Sequence, residues 1–227
     1  MRSDKPKMVV ILGASGAIGA AMSLKYASQH NLCLVGRHKN KLDNIKKKCE
    51  TLGSYCDICV CDFTNYKNID RLKQKLSGYD IETFINCSGV KCPAKPLQQL
   101  TNEEIHEMVQ VNLVAIILLV HYVYQRLLKQ GYGSIININS MVGLEAKKNR
   151  TIYSSTKWGA RGFFDSLRQE ALEAKIRVME VYPTNIKTSP DINNAMDLDF
   201  VVNRVYDAHQ RGANKVILDG RIKYTEE

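Results

Sequence analysis

Residues 8–19 of the chain read MVVILGASGAIG, a run of five apolar residues followed at once by three glycines spaced three apart. An unbroken apolar run is expected of a strand that is covered on both faces of a parallel sheet. The pattern after the glycines predicts a helix over 17–29. A buried strand, a glycine-rich turn and a helix in this order are typical of the first unit of a doubly wound α/β fold.

The glycines of this turn also have a chemical use. Without side chains they let the backbone turn tightly and approach a pyrophosphate, whose charge is stabilised by the amino end of the following helix. We therefore expect this turn to bind a dinucleotide, and a plain turn is the alternative. The residues expected to take part are Gly13, Ser15, Gly16, Ala17 and Ile18.

The alternation of short strands and longer helices continues along the chain. Further strands are predicted over 32–36, 55–61, 83–86, 134–140, 176–182 and 215–218, and further helices near 39–51, 66–77, 102–130, 152–174 and 198–210. Thr101 and Glu104 are spaced as a capping box for the longest helix. The pattern predicts a Rossmann-type, doubly wound parallel sheet of about seven strands, in a single domain over residues 1–227.

The composition is that of a globular chain. Of 227 residues, 44% are apolar, which is enough to form a core, and Lys plus Arg exceed Asp plus Glu by 32 − 23 = 9. No stacking aromatics accompany the basic run 46–48, so we interpret it as a solvated helix face and expect no nucleic-acid partner. The apolar run 113–120 is far shorter than the roughly 20 residues of a membrane span, so we expect a buried helix and no membrane association.

The cysteines favour a reducing compartment, and we expect a cytoplasmic protein. They are odd in number, and none follows residue 92, which does not suit a disulfide framework. The run Cys56, Cys59, Cys61 could suggest zinc, but no second ligand pair of similar spacing exists in the sequence. Because the run falls in a predicted strand, we interpret these cysteines as small apolar residues and expect no metal.

The end of the second predicted strand is where a dinucleotide fold reads the adenine ribose. An acidic residue there would bind the 2′-hydroxyl of NAD, whereas this chain has Gly36, Arg37, His38 and Lys39, with no carboxylate before Asp43. The Arg37 guanidinium would suit a 2′-phosphate. We therefore predict NADP(H) in preference to NAD(H), and a solvated helix start is the alternative interpretation.

Tyr153 and Lys157 lie four residues apart and so share one face of a predicted helix. A neighbouring ammonium favours the ionised form of a phenol, whose ordinary pKa is about 10, and makes it a usable proton donor or acceptor nearer neutrality. Ser140, at the carboxyl end of the preceding strand, could hold a substrate carbonyl in the crevice of an open sheet. The alternative is an ordinary surface pair on a helix.

Together these residues make the chain resemble the short-chain dehydrogenase/reductase family from residue 8 to about residue 218. The resemblance implies a catalytic tetrad of Asn112, Ser140, Tyr153 and Lys157. Tyr153 would be the general acid and Ser140 would position the carbonyl. Lys157 would hold the nicotinamide ribose and lower the pKa of Tyr153, while Asn112 would anchor a proton-relay water.

The same resemblance implies further coenzyme contacts and an assembly. A homodimer or homotetramer would form through the helices that hold residues 112–129 and 153–174. The implied coenzyme contacts are Asn86, Ser88 and Gly89 on the adenine side, Asp62 with Phe63 at the adenine ring, and Pro183, Ile186 and Thr188 on the nicotinamide side.

The glycine turn departs from the family's usual pattern. Leu12 and Ala17 replace a threonine and a glycine, which leaves a Gly-x-x-Gly-x-x-Gly spacing closer to the extended branch that includes sugar-nucleotide epimerases. The chain is too short for that branch's additional C-terminal domain, and residues 153–172 resemble the classical branch. We therefore assign the classical branch.

Three functions follow from these observations. The first is an NAD(P)H-dependent oxidoreductase that interconverts a small-molecule carbonyl and a primary or secondary alcohol. The second is a 3-oxoacyl-carrier-protein reductase or a sugar-modifying enzyme, and the third is a nucleotide-binding regulator without catalysis. The complete tetrad favours an enzyme. The basic stretch 147–150, just before Tyr153, could attract an anionic substrate or could simply be a solvated loop.

Overall fold

The computed structural model describes residues 5–90, 94–189 and 192–221. Cys92 lies outside the described residues. Seven strands form one parallel sheet, as predicted. They are β1 (Lys7–Leu12), β2 (Leu32–Gly36), β3 (Cys56–Val60), β4 (Asp80–Asn86), β5 (Gly133–Ile138), β6 (Ile176–Pro183) and β7 (Lys215–Leu218).

Helices connect the strands and cover both faces of the sheet. They are α1 (Ala17–Ala27), α2 (Lys39–Thr51), α3 (Tyr66–Leu76), α4 (Asn102–Val109), α5 (Ala115–Gln130), α6 (Thr151–Ala171) and α7 (Leu198–Gln210). Buried residues of α1, α2 and α7 pack on one face, and those of α3, α5 and α6 pack on the other. This arrangement is the doubly wound fold that the sequence predicts.

The strand order places a crevice at the centre of one edge. The order is β3-β2-β1-β4-β5-β6-β7, so the chain runs outward from β1 in one direction and then returns to continue from β4 in the other. In such open sheets, ligands bind beyond the carboxyl ends of the strands at the point where the direction reverses. The segments that follow β1 and β4 meet at that point.

The longest predicted helix, over 102–130, is confirmed as one continuous helical stretch, Asn102–Gln130, but it is not α-helical throughout. A π-helical segment, Gln110–Val114, lies between α4 and α5. A π turn accommodates an extra residue in a helix and occurs frequently at functional sites. The capping box is confirmed, because the Thr101 hydroxyl accepts from the Glu104 amide at 3.2 Å and the Glu104 carboxylate accepts from the Thr101 amide at 3.0 Å.

The apolar run 113–120 contributes to the core. By length and apolar composition alone, the stretch Asn102–Gln130 would be sufficient to cross a bilayer. Ala115, Ile116, Leu119 and Val120 are nevertheless buried in the core on the sheet face that α3 and α6 also cover. This packing is that of the core helix of a folded domain.

The cysteines of β3 and its flanks are mostly interior. Cys56 and Cys61 are buried and Cys59 is half-buried, and all three are free thiols. Burial raises the pKa of Cys61 to about 12, so the thiol remains protonated at neutral pH. Within residues 5–90, 94–189 and 192–221, no three His, Cys, Asp or Glu side chains converge in a way that could hold a metal ion.

Candidate active site

The turn after β1 requires glycine at two positions. Gly13 has a φ of +73°, and a Cβ there would lie 2.8 Å from the backbone of Cys87 and Ser88. A Cβ on Gly19 would lie 2.2 Å from the Gly13 carbonyl oxygen. The two glycines therefore let β1, α1 and the segment after β4 approach more closely than any side chain would allow.

The same turn fits a pyrophosphate. Gly16 is the N-cap residue of α1, and no side chain caps this helix end. The first amides of a helix have no intrahelical partner, and together with the helix dipole they favour an anion. Ser15 and Gly16 also line a cavity beside this helix end, so the described residues form a cradle that suits the phosphates of a dinucleotide.

This first cavity, which we name the Arg37 cavity, has a volume of about 260 Å³ and a basic rim. Arg37, His38 and Lys41 line it, and Phe63 contributes an aromatic wall. The Arg37 guanidinium forms a half-exposed ion pair with Glu107, at 3.4 Å between Nη1 and Oε1. The structure thus places Arg37 at the end of β2, where the sequence predicted a reader of the adenine ribose.

Asp62 and Phe63 were both predicted to lie at the adenine ring, but only Phe63 lines the Arg37 cavity. The Asp62 carboxylate accepts hydrogen bonds from the Thr64 amide at 3.0 Å and the Thr64 hydroxyl at 2.9 Å, which hold its pKa below the ordinary value. Phe63 lines the Arg37 cavity, whereas Asp62 is not among its wall residues. A contact of the Asp62 carboxylate with adenine remains a prediction.

A second cavity, which we name the Tyr153 cavity, has a volume of about 240 Å³ and shares residues 87–90 with the first. Ser140, Tyr153 and Lys157 all line it. The Ser140 and Tyr153 side chains are hydrogen-bonded to one another. The Lys157 ammonium lies 5.7 Å from the centre of the Tyr153 ring and is itself buried. Three of the four predicted tetrad residues therefore meet at one cavity.

The pKa of Tyr153 differs from the expectation that Lys157 lowers it. Burial raises the pKa above the ordinary value of 10.0 and outweighs two opposing influences, the hydrogen bond with Ser140 and the charge of Arg150. The Lys157 ammonium instead reaches toward the Ile138 carbonyl oxygen, at 3.5 Å. In this structure the phenol is held in its protonated form, and the cation that acts on it most is Arg150.

Asn112, the fourth tetrad residue, does not reach the wall of either cavity. It lies in the π-helical segment and is buried. Its Oδ1 accepts from the Val90 amide at 2.7 Å, and its Nδ2 donates to the Val90 carbonyl at 3.0 Å. Asn112 thus fixes the backbone of the segment between the two cavities, and its role in anchoring a water remains a prediction.

The other predicted coenzyme residues divide into two groups. Asn86 and Ala17 are absent from both cavity walls, and the Asn86 carboxamide instead accepts from the Ser88 hydroxyl at 2.6 Å. The rest do line a cavity. Gly13, Ser15, Gly16, Ser88 and Gly89 line the Arg37 cavity, and Ile18, Ser88, Gly89, Pro183, Ile186 and Thr188 line the Tyr153 cavity.

A buried carboxylate lies behind the Tyr153 cavity. Glu180 of β6 has no exposed surface, and its Oε1 accepts from Asn137 at 3.1 Å and from Asn139 at 3.0 Å. Its Oε2 accepts from the Tyr182 hydroxyl at 2.5 Å, and the Arg168 guanidinium supplies a positive charge 4.0 Å away. Burial raises the pKa of Glu180, while these donors favour its ionised form.

This carboxylate connects the two halves of the site. Asn137 accepts a hydrogen bond from Asn86 at 2.8 Å, and Asn86 in turn holds Ser88. On the other side, Asn139 donates to the Lys157 backbone carbonyl at 3.2 Å. The Glu180 cluster, which we define as Asn86, Asn137, Asn139, Glu180 and Tyr182, therefore links the segment after β4 to helix α6.

Sequence reasoning missed two residues of the site, Cys87 and Glu180. Cys87 lines both cavities but belongs to a segment that was interpreted only for its neighbours. Arg150, which the sequence analysis considered only as part of the basic stretch 147–150, lines the Tyr153 cavity. Glu180 could have been found from the sequence, since it is a charged residue within an apolar predicted strand and such a residue requires a partner.

Comparison with known proteins identifies the family of the chain. The sequence model described as short chain dehydrogenase matches residues 7–198. The chain belongs to this family. The 3-oxoacyl-acyl-carrier-protein reductase FabG of Thermotoga maritima is 29% identical over 185 residues, a match that covers 80% of this chain and 75% of that protein.

Two solved structures extend the similarity of this short chain dehydrogenase to nearly its whole length. The bulky-bulky ketone specific alcohol dehydrogenase of Comamonas testosteroni has a TM-score of 0.87 and 28% identity, over 95% of this chain and 86% of that chain. The short-chain dehydrogenase of Sphingobium yanoikuyae in complex with NADPH also has a TM-score of 0.87, with 26% identity over 93% of this chain and 87% of that chain. Like its relatives, this dehydrogenase is an oxidoreductase.

Proposed function

We propose that this dehydrogenase uses NADP(H) to interconvert a small-molecule carbonyl and its alcohol at the Tyr153 cavity. The observation that carries the proposal is the hydrogen-bonded pair of Ser140 and Tyr153, with the Lys157 ammonium beside the ring, at the reversal point of the sheet. In the direction of carbonyl reduction, the protonated phenol is the form that donates the proton.

Ser140, Tyr153 and Lys157 each have a separate task in this reaction. A bound reduced nicotinamide supplies the hydride. The Ser140 hydroxyl and the Tyr153 phenol hold the carbonyl oxygen, and Tyr153 donates its proton to that oxygen as negative charge develops there. Because burial raises the pKa of Tyr153, the phenol carries this proton throughout the neutral range. Lys157 provides a buried positive charge close to the ring and a donor for the coenzyme ribose.

The proposed coenzyme preference rests on the rim of the Arg37 cavity. Arg37 and Lys41 are basic residues of this rim, and the glycine turn that lines the same cavity suits the pyrophosphate. The ion pair between Arg37 and Glu107 is half-exposed and spans 3.4 Å, so a 2′-phosphate can replace the carboxylate at low cost. The Sphingobium dehydrogenase, solved with NADPH, supports the same choice.

Replacing Arg37 by alanine is expected to weaken NADPH binding selectively. Loss of one charge-assisted contact to phosphate costs about 1.5 to 3 kcal/mol, so the NADPH Kd should rise about 10- to 150-fold while the NADH Kd changes little. Fluorescence titration with both coenzymes measures this difference. Lys39→Ala is the matched control, because Lys39 is paired with Asp43 at 2.8 Å and does not line the cavity. Equal weakening of both coenzymes would contradict the proposed role of Arg37.

A substrate panel tests the function itself. Aldehydes, ketones and a 3-oxoacyl thioester are supplied with NADPH or NADH, and absorbance at the reduced-nicotinamide band reports turnover. We expect carbonyl reduction with NADPH. Coenzyme binding without turnover of any carbonyl would favour a regulator, and turnover confined to nucleotide sugars would favour the sugar-modifying alternative.

We also propose that the protein is a homodimer or homotetramer formed through α5 and α6. Leu128 and Trp158 are about half-exposed on these helices, and Leu172 follows the end of α6 with 70% of its surface exposed. Burying such side chains against a second copy removes apolar surface from water. Sedimentation at micromolar concentration is expected to give a species of two or four chains. A single 25.7 kDa species would contradict this proposal.

A further inference from the structure

We propose that the carbonyl substrate carries a carboxylate or phosphate oxyanion, and that Arg150, assisted by Lys147, binds this group beside the Tyr153 hydroxyl. The inference rests on the proposed function, because it names the substrate class of the same cavity. It assigns a role in substrate recognition to the basic stretch 147–150, for which the alternative is a solvated loop.

The position of Arg150 is fixed relative to the reacting groups. It immediately precedes α6 and lies three residues before Tyr153, which is close to one helical turn, and both side chains line the Tyr153 cavity. Its positive charge opposes the effect of burial on the Tyr153 pKa, as expected of a guanidinium close to the phenol. An anion bound to Arg150 would therefore share one cavity with a carbonyl held by Tyr153.

Lys147 reaches the same cavity by way of a tight turn. The Arg150 amide donates to the Lys147 carbonyl at 3.2 Å, and Asn149 between them has a φ of +61°. The Asn149 carbonyl in turn accepts from the Lys95 amide at 3.1 Å, which ties the turn to the segment after β4. Lys148, in contrast, is exposed and lines none of the described cavities.

The charged side chains described on the wall of the Tyr153 cavity are cationic. Among the described residues that line the Tyr153 cavity, Lys147, Arg150 and Lys157 are cationic and none is a carboxylate. Lys157 already has a task in the proposed reaction. Two cations therefore converge on the place where a substrate would bind, and an anionic group on that substrate would complement them.

Lys147 is the less available of the two cations. Its charge acts on Asp219, which also pairs with Arg221 at 2.6 Å, so we assign Lys147 the assisting role and Arg150 the principal one. Lys147 further lines an adjoining cavity of about 430 Å³ with Thr184 and Asn185, which gives room for a substrate that extends beyond its anionic group.

The test compares pairs of substrates of which one member carries the anionic group and the other does not. Wild type, Arg150→Gln and Lys148→Gln are assayed with NADPH on a 2-oxo or 3-oxo acid against its methyl ester, and on a phosphorylated hydroxy-ketone against the free compound. We expect kcat/KM of the wild type to favour the anion at least about tenfold. Arg150→Gln should lose about 10- to 100-fold on the anion and much less on the ester, and Lys148→Gln should retain the wild-type preference. The anion that the wild type prefers shows whether the substrate carries a carboxylate or a phosphate.

Several outcomes would overturn the inference while the proposed function stands. One is equal or better turnover of the neutral partner, and another is an equal loss on both partners in Arg150→Gln. A higher NADPH Kd in Arg150→Gln, with an unchanged preference for the anionic substrate, would show that Arg150 binds the coenzyme instead. Calorimetric binding of the hydroxy acid and its ester in the presence of NADP decides the same question without turnover. Absence of carbonyl reduction by the wild type would contradict the proposed function alone.

Discussion

Replacing Tyr153 by phenylalanine is expected to lower turnover by roughly 10²- to 10⁴-fold. The substitution keeps the ring and its packing but removes the proton that must reach the carbonyl oxygen as the alkoxide forms. Steady-state rates with saturating NADPH measure the effect. The NADPH Kd, measured separately by fluorescence, should change little because the ring remains in place.

Tyr55→Phe is the matched control for the loss of a phenol. Tyr55 is exposed just before β3, outside both cavities, so its substitution should leave turnover unchanged. Near-wild-type turnover of Tyr153→Phe, on a substrate that the wild type reduces well, would show that another group delivers the proton. The Ser140 hydroxyl, which is hydrogen-bonded to Tyr153, would then be the next residue to test.

Replacing Glu180 by alanine is expected to lower the free energy of unfolding by about 3 to 5 kcal/mol. The change removes the acceptor of Asn137, Asn139 and Tyr182, whereas Arg168 keeps its ion pair with Asp165 at 2.7 Å. Each buried donor that is left without an acceptor carries a desolvation cost. Urea denaturation of the wild type and the variant, followed by circular dichroism, measures the loss.

Glu180→Gln separates the hydrogen bonds from the charge. A glutamine keeps an amide oxygen that can accept from both asparagines, so its loss of stability should be clearly smaller than that of alanine. Its effect on Arg168 should resemble that of alanine, because neither residue carries a charge. If alanine and glutamine destabilised the protein equally, or if neither did so, the Glu180 cluster would have no such structural role.

The sequence was sufficient to predict the residues that act locally. Gly13 and Gly16 precede a helix within a single turn, and Tyr153 and Lys157 lie on one helical face, so spacing alone brings their groups together. Ser140 was placed by the end of its strand, although β5 ends two residues earlier, at Ile138. Local geometry of this kind depends on helix and turn periodicity, which a single sequence shows directly.

What could not be predicted depends on contacts between distant segments. Asn137 and Glu180 are paired across β5 and β6, and that register is set by the whole sheet. The pKa of Tyr153 was misjudged for the same reason. The effect of burial and the charge of Arg150 both depend on how distant segments pack around Tyr153, which periodicity does not describe.

The π-helical segment Gln110–Val114 lets one continuous stretch of chain serve two unrelated surfaces. Each residue of an α-helix advances by about 100° around the axis. Deleting one residue here would restore a regular helix, but it would either swing Asn112 away from Val90 or roll the buried stripe of α5 toward solvent. The extra residue of the π-helical segment therefore lets Asn112 face Val90 while the apolar residues of α5 face the core. Along this helix, changes in chain length are constrained more tightly than changes in residue type, and an alignment of relatives should place no gap between α4 and α5.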